Sequence, residues 1–210
     1  MKSIPQNPTA QPSPQFVLRE IAEADLDEVL ALDQRALGGL WNRKGYLAEF
    51  DSDTSALLGL WSVPPENTAS ESNDTAQLIG LACTWFIVDE AHITAIAIDP
   101  NHQRQGLGQL LLVALLRASQ QKGMKRATLE VNCNNAAAIA LYEKFGFKQV
   151  GIRKKYYPNG DNAAILWLNR LDWPQFVDTL ENWEAIVGDR LAPATLSWEH
   201  GDHPAKLERF

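Results

Sequence analysis

The chain has 210 residues, with 19 basic and 26 acidic side chains and a formal net charge of −7. Its hydrophobic content of 45% is too high for a disordered protein. The acidic balance argues against a protein that mainly binds a nucleic-acid backbone, although it suits a basic protein or peptide as substrate. The densest apolar run, residues 110–116, is much shorter than the ~18 residues that span a bilayer. We therefore expect a cytoplasmic protein without direct contacts to nucleic acid or membrane.

Composition divides the chain into three parts. Residues 1–15 contain four prolines among polar residues and predict a flexible arm. Residues 16–171 predict one domain, interrupted at 64–76 by a polar run without periodicity that we interpret as a mobile loop. Residues 172–210 form an acidic extension with eight acids, three bases and three of the seven tryptophans, whose role the sequence leaves open.

Strand and helix patterns alternate along the middle part. In chain order we predict a strand at 16–21, helices at 24–37 and 43–50, strands at 55–63, 77–88 and 91–98, a helix at 106–122, a strand at 126–132, a helix from 135 to 145 and strands at 147–153 and 163–171. Residues 174–187 of the extension are compatible with a further helix docked on the core. This order predicts a mixed α/β sandwich.

A strand that runs into a glycine-containing loop and a long helix is the most informative stretch. Arg104, Gly106 and Gly108 lie where the helix begins, and exposed amide N–H groups at such a position bind phosphate oxygens. A dinucleotide fingerprint requires a third glycine where Leu111 stands, and a Walker loop requires Gly-Lys-Ser/Thr, which is absent. From this loop alone, a phosphate site and a turn that merely starts a helix are equally supported.

Three segments resemble the GCN5-related N-acetyltransferase (GNAT) family. RQGLG at 104–108, after the Ile-Ala-Ile strand at 96–98, resembles the family's acetyl-CoA pyrophosphate loop, and LEVNCNNAAAIALYEKFGF at 129–147 resembles its following strand and helix. IRKKYYP at 152–158 is similar to the bacterial ribosomal-protein-alanine N-acetyltransferases of RimI type within the family. The resemblance covers about residues 16–171. It implies the GNAT fold, a mixed and mostly antiparallel central sheet flanked by helices.

The resemblance also implies direct acetyl transfer from acetyl-CoA to an amine, without a metal or an acyl-enzyme. The residues that it assigns to acetyl-CoA are the backbone of Ile96, Ala97 and Ile98 for the acetyl and pantetheine arm, Arg104, Gln105, Gly106, Leu107, Gly108 and Gln109 for the pyrophosphate, and Asn135. Cys133 as an acyl nucleophile is disfavoured, because none of the four histidines is an evident partner for it. His200 and His203 lie in the acidic extension, and we interpret them as part of a flexible tail rather than a metal site.

Glu130 is the candidate general base and Tyr142 the candidate general acid, both by this resemblance. Glu130 lies in mid-strand with Thr128 and Asn132 on the same face, a pattern that by itself favours a solvated carboxylate. Tyr142 lies at helical spacing from apolar neighbours, so core packing is its alternative interpretation. An α-amine, with a pKa near ~8 against ~10.4 for lysine, needs little help from a carboxylate at neutral pH.

Three aromatic residues are candidates for the walls of a peptide entrance. Trp41 follows a Gly-Gly pair in a loop where the RimI type has an aromatic-Pro-Trp turn, and Tyr156 and Tyr157 lie in the last predicted hairpin. Packing within the protein is an equally supported interpretation of all three. The departure of the loop at 38–42 from the family pattern leaves the choice of peptide open.

Together these features predict an acetyl-CoA-dependent transferase for a protein N-terminal amine, most consistent with the N-terminal alanine of small-subunit ribosomal protein eighteen. A GNAT enzyme for a lysine or a small-molecule amine is the alternative within the family. A non-catalytic acyl-CoA-binding module is the alternative outside catalysis, and the presence of both Glu130 and Tyr142 argues against it. The sequence makes no prediction of the oligomeric state.

Overall fold

One mixed sheet of eight strands organises the part of the chain that this computed structural model describes, residues 15–64, 76–191 and 195–199. The strands are β1 (Gln15–Glu20), β2 (Ser55–Val63), β3 (Gln77–Ile87), β4 (Glu90–Ile98), β5 (Arg126–Asn132), β6 (Lys148–Arg153), β7 (Ala163–Asn169) and β8 (Thr195–Glu199). Their order is β6-β7-β5-β4-β3-β2-β1-β8. Neighbouring strands are antiparallel except for the pairs β4/β5 and β1/β8. The mixed, mostly antiparallel sheet expected from the resemblance is confirmed.

Five helices cover the two faces of this sheet in the described residues. They are α1 (Leu26–Ala36), α2 (Arg43–Phe50), α3 (Leu107–Gln121), α4 (Ala136–Lys144) and α5 (Pro174–Leu191). Buried residues of α1 and α2 pack on one face, and buried residues of α3, α4 and α5 pack on the other. The sheet therefore has an apolar core on each side, which is the layered arrangement predicted from the element order.

The boundaries of several predicted elements shift. Gln15, assigned to the flexible arm, is the first residue of β1. The predicted helix at 24–37 begins with a short 3₁₀ turn, because the Asp25 carboxylate accepts the N–H of Ala22 and pairs with Arg19 instead of capping α1. The remainder of the predicted arm, most of the predicted loop at 64–76, and His200 and His203 lie outside the described residues.

The extension contributes a helix and a strand to the described structure. Helix α5 runs to Leu191, beyond the segment 174–187 considered from the sequence, and four of its side chains are buried: Phe176, Leu180, Val187 and Leu191. These four belong to the same apolar core as the buried face of α3. Strand β8, which the sequence did not predict, pairs in parallel with β1 at the edge of the sheet.

Strands β4 and β5 diverge in the middle of the sheet. Their parallel pairing joins Glu90, Ala91 and His92 to residues 126–128, and beyond His92 the described β4 pairs with β3 alone. A register shift in β4 leaves Thr94 without a Cα partner on β3, so the side chains of the following residues change faces. The result is a gap that opens toward the carboxyl ends of both strands, and the candidate site lies there.

Candidate active site

Backbone groups of β4 face the gap between β4 and β5. The N–H of Asp99 donates to the carbonyl of Ile79 on β3 at 2.8 Å, so backbone groups of the same parity, including those of Ala97, point toward β3. The alternate groups, on Ile96 and Ile98, therefore point into the gap. An extended arm with amide groups, such as that of acetyl-CoA, would find there the hydrogen-bonding edge that β5 does not occupy.

The end of β4 is fixed by the carboxylate of Asp99, whose side chain is only 3% exposed. It accepts the N–H of Asn101 at 3.0 Å and pairs with Nε of Arg35 on α1 at 3.0 Å. Burial acts to raise the pKa of Asp99, but the hydrogen bond from Asn101 and the pair with Arg35 hold it below its ordinary value. The loop that follows the strand thus starts from an anchored position.

The predicted phosphate loop lies at the junction of β4 and α3. Gly106 precedes the first residue of α3 and has φ +93°, a left-handed conformation that favours glycine. Arg104 also has a positive φ, +63°. In the first turn of α3 the N–H of Gln109 donates to the carbonyl of Gly106 at 2.9 Å, whereas the N–H groups of Leu107 and Gly108 precede any helical carbonyl that they could bond. These two groups give the junction the geometry of an anion site.

The side chains of two further predicted cofactor residues, Gln109 and Asn135, form hydrogen bonds within the protein. The Oε1 atom of Gln109 accepts a hydrogen bond from Nζ of Lys144 at 2.8 Å, which joins the first turn of α3 to the end of α4. Asn135 caps α4, with its Oδ1 accepting the N–H of Ala138 at 3.1 Å. These contacts fix both side chains at the border of the gap.

Glu130 is held by two partners instead of being solvated. Its side chain is 9% exposed, and Oε1 accepts from Nε of Arg153 on β6 at 2.9 Å. Its Oε2 lies 2.8 Å from Nε2 of His92 on β4. The Glu130 carboxylate therefore connects β5 to β4 through His92 and to β6 through Arg153.

Sequence reasoning missed His92 and Arg153 as members of this site. From the sequence His92 was considered only as a partner for Cys133, and in the structure it contacts Glu130. The parallel pairing places His92 opposite Thr128, which lies on the same face of β5 as Glu130. The proximity of His92 to Glu130 can be recognised only once the order of the strands is known. Arg153, in contrast, is part of the IRKKYYP segment, but no role was assigned to it from the sequence.

Tyr142 on α4 is buried and packs edge-to-face on Phe147, with ring centroids 5.7 Å apart. Burial, followed by the charge of Tyr157, raises the pKa of the Tyr142 hydroxyl far above its ordinary value. Burial also raises the pKa of Tyr157, and the charges of Tyr156, Glu130 and Cys133 add to that effect. Tyr157 thus lies within electrostatic range of both candidate catalytic residues.

An aromatic row borders the site on the side of α1 and α2. Trp41 stacks on Trp85 with ring centroids 5.9 Å apart and planes 4° from parallel, and Trp85 lies 6.4 Å from the ring of His92. The row leads from the surface loop to the partner of Glu130. The buried carboxylate of Asp33 fixes this loop, because it accepts the N–H of Leu40 at 2.9 Å and of Trp41 at 3.0 Å.

The hairpin between β6 and β7 is tied to the end of β5. The carbonyl of Asp161 accepts the N–H groups of Tyr156 and Tyr157 at 2.9 and 3.1 Å, and its carboxylate accepts from Nδ2 of Asn132 at 2.8 Å. Hydrogen bonds from Asn132 and Asn159 lower the pKa of Asp161. Tyr156 is half exposed and Tyr157 is partly buried, so one ring faces solvent while the other approaches Glu130.

Comparison with known proteins gives a consistent picture. A sequence model of the acetyltransferase (GNAT) family matches residues 26–147. The chain is 46% identical over 144 residues to the ribosomal protein bS18-alanine N-acetyltransferase of Escherichia coli strain K12, which covers 69% of this chain and 88% of that protein. No helix among the described residues is long and apolar enough to cross a membrane.

Solved structures show the same architecture. The crystal structure of the ribosomal-protein-S18-alanine N-acetyltransferase from Escherichia coli aligns with a TM-score of 0.62 at 32% identity, covering 74% of this chain and 94% of that one. The PaiA N-acetyltransferase of Thermoplasma acidophilum, in complex with coenzyme A, aligns with a TM-score of 0.57 at 17% identity, covering 74% and 99%. The chain therefore belongs to the GNAT family of acetyltransferases.

Proposed function

We propose that this protein transfers the acetyl group of acetyl-CoA to the α-amine of a protein N-terminus, with the N-terminal alanine of ribosomal protein bS18 as the acceptor. The observation that carries the proposal is the position of Glu130, a 9% exposed carboxylate in the gap between β4 and β5. The relative at 46% identity, named for this activity, supports the choice of acceptor.

The donor side of the gap fits acetyl-CoA. The backbone groups of Ile96 and the N–H of Ile98 offer hydrogen bonds to the pantetheine arm, while Ala97 keeps β4 paired to β3. The carbonyl of Ile98 already accepts from Nε2 of Gln103 at 3.1 Å. The donor loop, residues 104–109, offers amide N–H groups and the guanidinium of Arg104 to the pyrophosphate. When bound, acetyl-CoA supplies an activated thioester, so the protein needs only to position the acceptor and move protons.

Glu130 acts as the general base in this proposal. It takes one proton from the acceptor ammonium, directly or through a water molecule, so that the neutral amine attacks the thioester carbonyl. An N-terminal ammonium, with a pKa near ~8, loses that proton far more readily at neutral pH than a lysine, with a pKa near ~10.4. Arg153 and His92 hold the carboxylate in place, since each contacts one of its oxygens.

Tyr142 acts as the general acid. The buried Tyr142 hydroxyl, whose pKa is raised by burial, is protonated at neutral pH. It gives its proton to the leaving thiolate of coenzyme A and regains the second proton, which the acceptor nitrogen loses as the amide forms. Tyr157 lies within electrostatic range of both Tyr142 and Glu130. Trp41, Tyr156 and Tyr157 form the entrance for the acceptor peptide.

A paired peptide assay tests the proposal. The protein is incubated with acetyl-CoA and either a peptide with the bS18 N-terminus or a matched peptide blocked at its α-amine and containing lysine, and both are followed by mass spectrometry. We expect acetylation of the free α-amine alone. Acetylation of lysine alone would contradict the acceptor, and acetylation of neither peptide would shift the proposal to a small-molecule amine or to an acyl-CoA-binding module.

Two substitutions test the assigned roles. Glu130→Gln and Tyr142→Phe keep the size of each side chain but remove the base and the acid, so each should lower kcat by about 10²-fold or more. Binding of coenzyme A, measured by calorimetry, should change by less than about twofold because neither group belongs to the donor loop. Unchanged kcat in both variants would contradict the assignments.

A further inference from the structure

The acidic extension places one of its basic side chains, that of Arg190, against the donor loop. Helix α5 contains four acids and one base, Arg190, in its last turn. A Cβ atom built on Gly106 would lie 3.2 Å from Cδ and 3.3 Å from Nε of Arg190. Arg190 therefore lies directly against the residue that precedes α3, although 84 positions separate the two residues in sequence.

Packing of α5 against α3 fixes this position. Nε and Nη2 of Arg117 on α3 each donate to one oxygen of Glu184 at 2.8 Å, in a two-pronged ion pair. Trp183 packs edge-to-face on Phe145 with ring centroids 5.0 Å apart, and Leu191, directly after Arg190, is buried in the core. The residues on either side of Arg190 in α5 are therefore held in place by packing and by an ion pair.

Within the described part of the chain, no carboxylate occupies the guanidinium of Arg190, whose side chain is exposed. Lys144 contacts Gln109 at the same end of α3, and Arg104 belongs to the loop itself. Two cations from separate helices, Arg190 and Lys144, therefore lie at the start of α3, and Arg104 precedes it in the chain, a concentration of positive charge that the overall charge of −7 would not predict.

We propose that Arg190 of the extension is a phosphate-binding residue for acetyl-CoA and completes a donor site that the loop at 104–109 begins. The proposal rests on the acetyl-CoA site of the proposed function and extends it to a segment outside the family match at 26–147. A guanidinium forms charge-assisted, two-pronged hydrogen bonds to phosphate, so it adds affinity for the donor without entering the chemistry at Glu130.

Calorimetry with coenzyme A tests the proposal through Arg190→Met, which keeps the apolar stem over Gly106 but removes the charge. We expect the Kd for coenzyme A to rise by about tenfold or more, as for loss of one charge-assisted hydrogen-bonding group. Arg190→Lys should recover part of the affinity. Arg170→Ala is the matched control, because Arg170 is also an exposed arginine and lies two residues before the extension. This variant should leave the Kd for coenzyme A within about twofold.

Ligands that lack one or all of the phosphates distinguish phosphate binding by Arg190 from a structural effect of its substitution. A loss that persists with 3′-dephospho-coenzyme A assigns Arg190 to the pyrophosphate, and a loss that disappears assigns it to the 3′-phosphate. For acetyl transfer from S-acetylpantetheine, which lacks all phosphates, Arg190→Met should match the parent protein. An unchanged Kd for coenzyme A, or an equal loss with S-acetylpantetheine, would overturn the proposal and leave Arg190 a cation that stabilises the end of α5.

The same experiment distinguishes this inference from the proposed function. If the parent protein binds coenzyme A in an Arg190-dependent way but acetylates no N-terminal amine, the acceptor is wrong and the role of Arg190 stands. If the parent protein acetylates the peptide and Arg190→Met binds coenzyme A equally well, the role of Arg190 fails alone. If the parent protein does not bind coenzyme A, the donor site and the role of Arg190 both fail.

Discussion

Glu130 occupies a position where an ionised carboxylate needs partners. With 9% of its side chain exposed, it has lost most of its contact with water, and a buried charge without compensation is costly. Arg153 compensates the charge from the exposed hairpin side, and His92 contacts the other oxygen from the strand side. The two partners leave one narrow range of orientations for the base, directed at the gap.

His92 is expected to position Glu130. His92→Ala should lower kcat by about tenfold, because one oxygen of the base loses its hydrogen bond and the carboxylate rotates more freely. The KM for acetyl-CoA should stay the same, since His92 lies away from the donor loop. Steady-state kinetics across pH 6–9 check this, with His92→Gln as the control that keeps an N–H donor and recovers activity. A changed KM with an unchanged kcat would contradict a positioning role.

Asp99 links two elements, helix α1 and the end of β4. Its pKa in the folded protein is lowered below the ordinary value of 3.8, so its pairing with Arg35 and Asn101 stabilises the protein above that value. The stabilisation is lost as the pH falls below about 4 and through the lowered pKa. The anchor is therefore intact at neutral pH, where the enzyme has to hold its donor loop.

Asp99→Asn should lower the free energy of unfolding by about 1–3 kcal/mol at pH 7, because the ion pair is lost and the hydrogen bonds weaken. At pH 3 the difference between variant and parent should become smaller, because Asp99 is then largely protonated in the unfolded chain and its lowered pKa in the folded protein opposes that proton. Urea unfolding at the two pH values measures it. Asp27→Asn, at an 86% exposed carboxylate, is the control and should stay within about 0.5 kcal/mol. An equal effect of Asp99→Asn at both pH values would contradict the linkage.

Elements with a strong local pattern could be predicted from the sequence, and elements defined by distant partners could not. Helix α3 carries apolar residues at helical spacing, and its predicted range of 106–122 differs from the observed Leu107–Gln121 by one residue at each end. Strand β8 has no such signal, because its five residues gain their structure from pairing with β1. The unpaired Thr94 in β4 is equally invisible, since it depends on the register with β3.

Some residues of the candidate site could likewise be assigned from the sequence, and others only from the structure. Residues within the segments that carry the resemblance, such as Glu130 and Tyr142, were assigned from the sequence, and their roles stay predictions. His92 acquires its partner through the parallel pairing of β4 and β5, and Arg190 reaches Gly106 through the packing of α5 on α3. Both relations join residues far apart in the chain, so no local pattern contains them.

At the scale of the whole molecule, the extension shares a core with the domain. Leu180 of α5 is fully buried in the same apolar cluster as the inner face of α3, although the sequence suggested a domain boundary near residue 171. A chain with one continuous core unfolds in one cooperative transition, whereas an appended segment would unfold on its own. The boundary at 171 can therefore be tested by stability measurements.

Leu180→Ala should lower the free energy of global unfolding by about 2–4 kcal/mol, because it leaves a cavity in the shared core. Ile186→Ala, on the same helix but 46% exposed, is the matched control and should cost less than about 1 kcal/mol. Chemical unfolding followed by both circular dichroism and tryptophan fluorescence provides the measurement. Two separate transitions, with Leu180→Ala affecting the weaker one alone, would restore an independent extension.

The divergence of β4 and β5 has a mechanical consequence. In the described structure, the two halves of the sheet are joined in its plane by the pairing of residues 90–92 with 126–128. Three residue pairs cross this junction, fewer than at any other strand junction of the described sheet. A change in the angle between the two halves would therefore alter the width of the cleft at Ile98 and Asn132 more than at the junction itself. His92, the partner of Glu130, lies at the last of the three pairs.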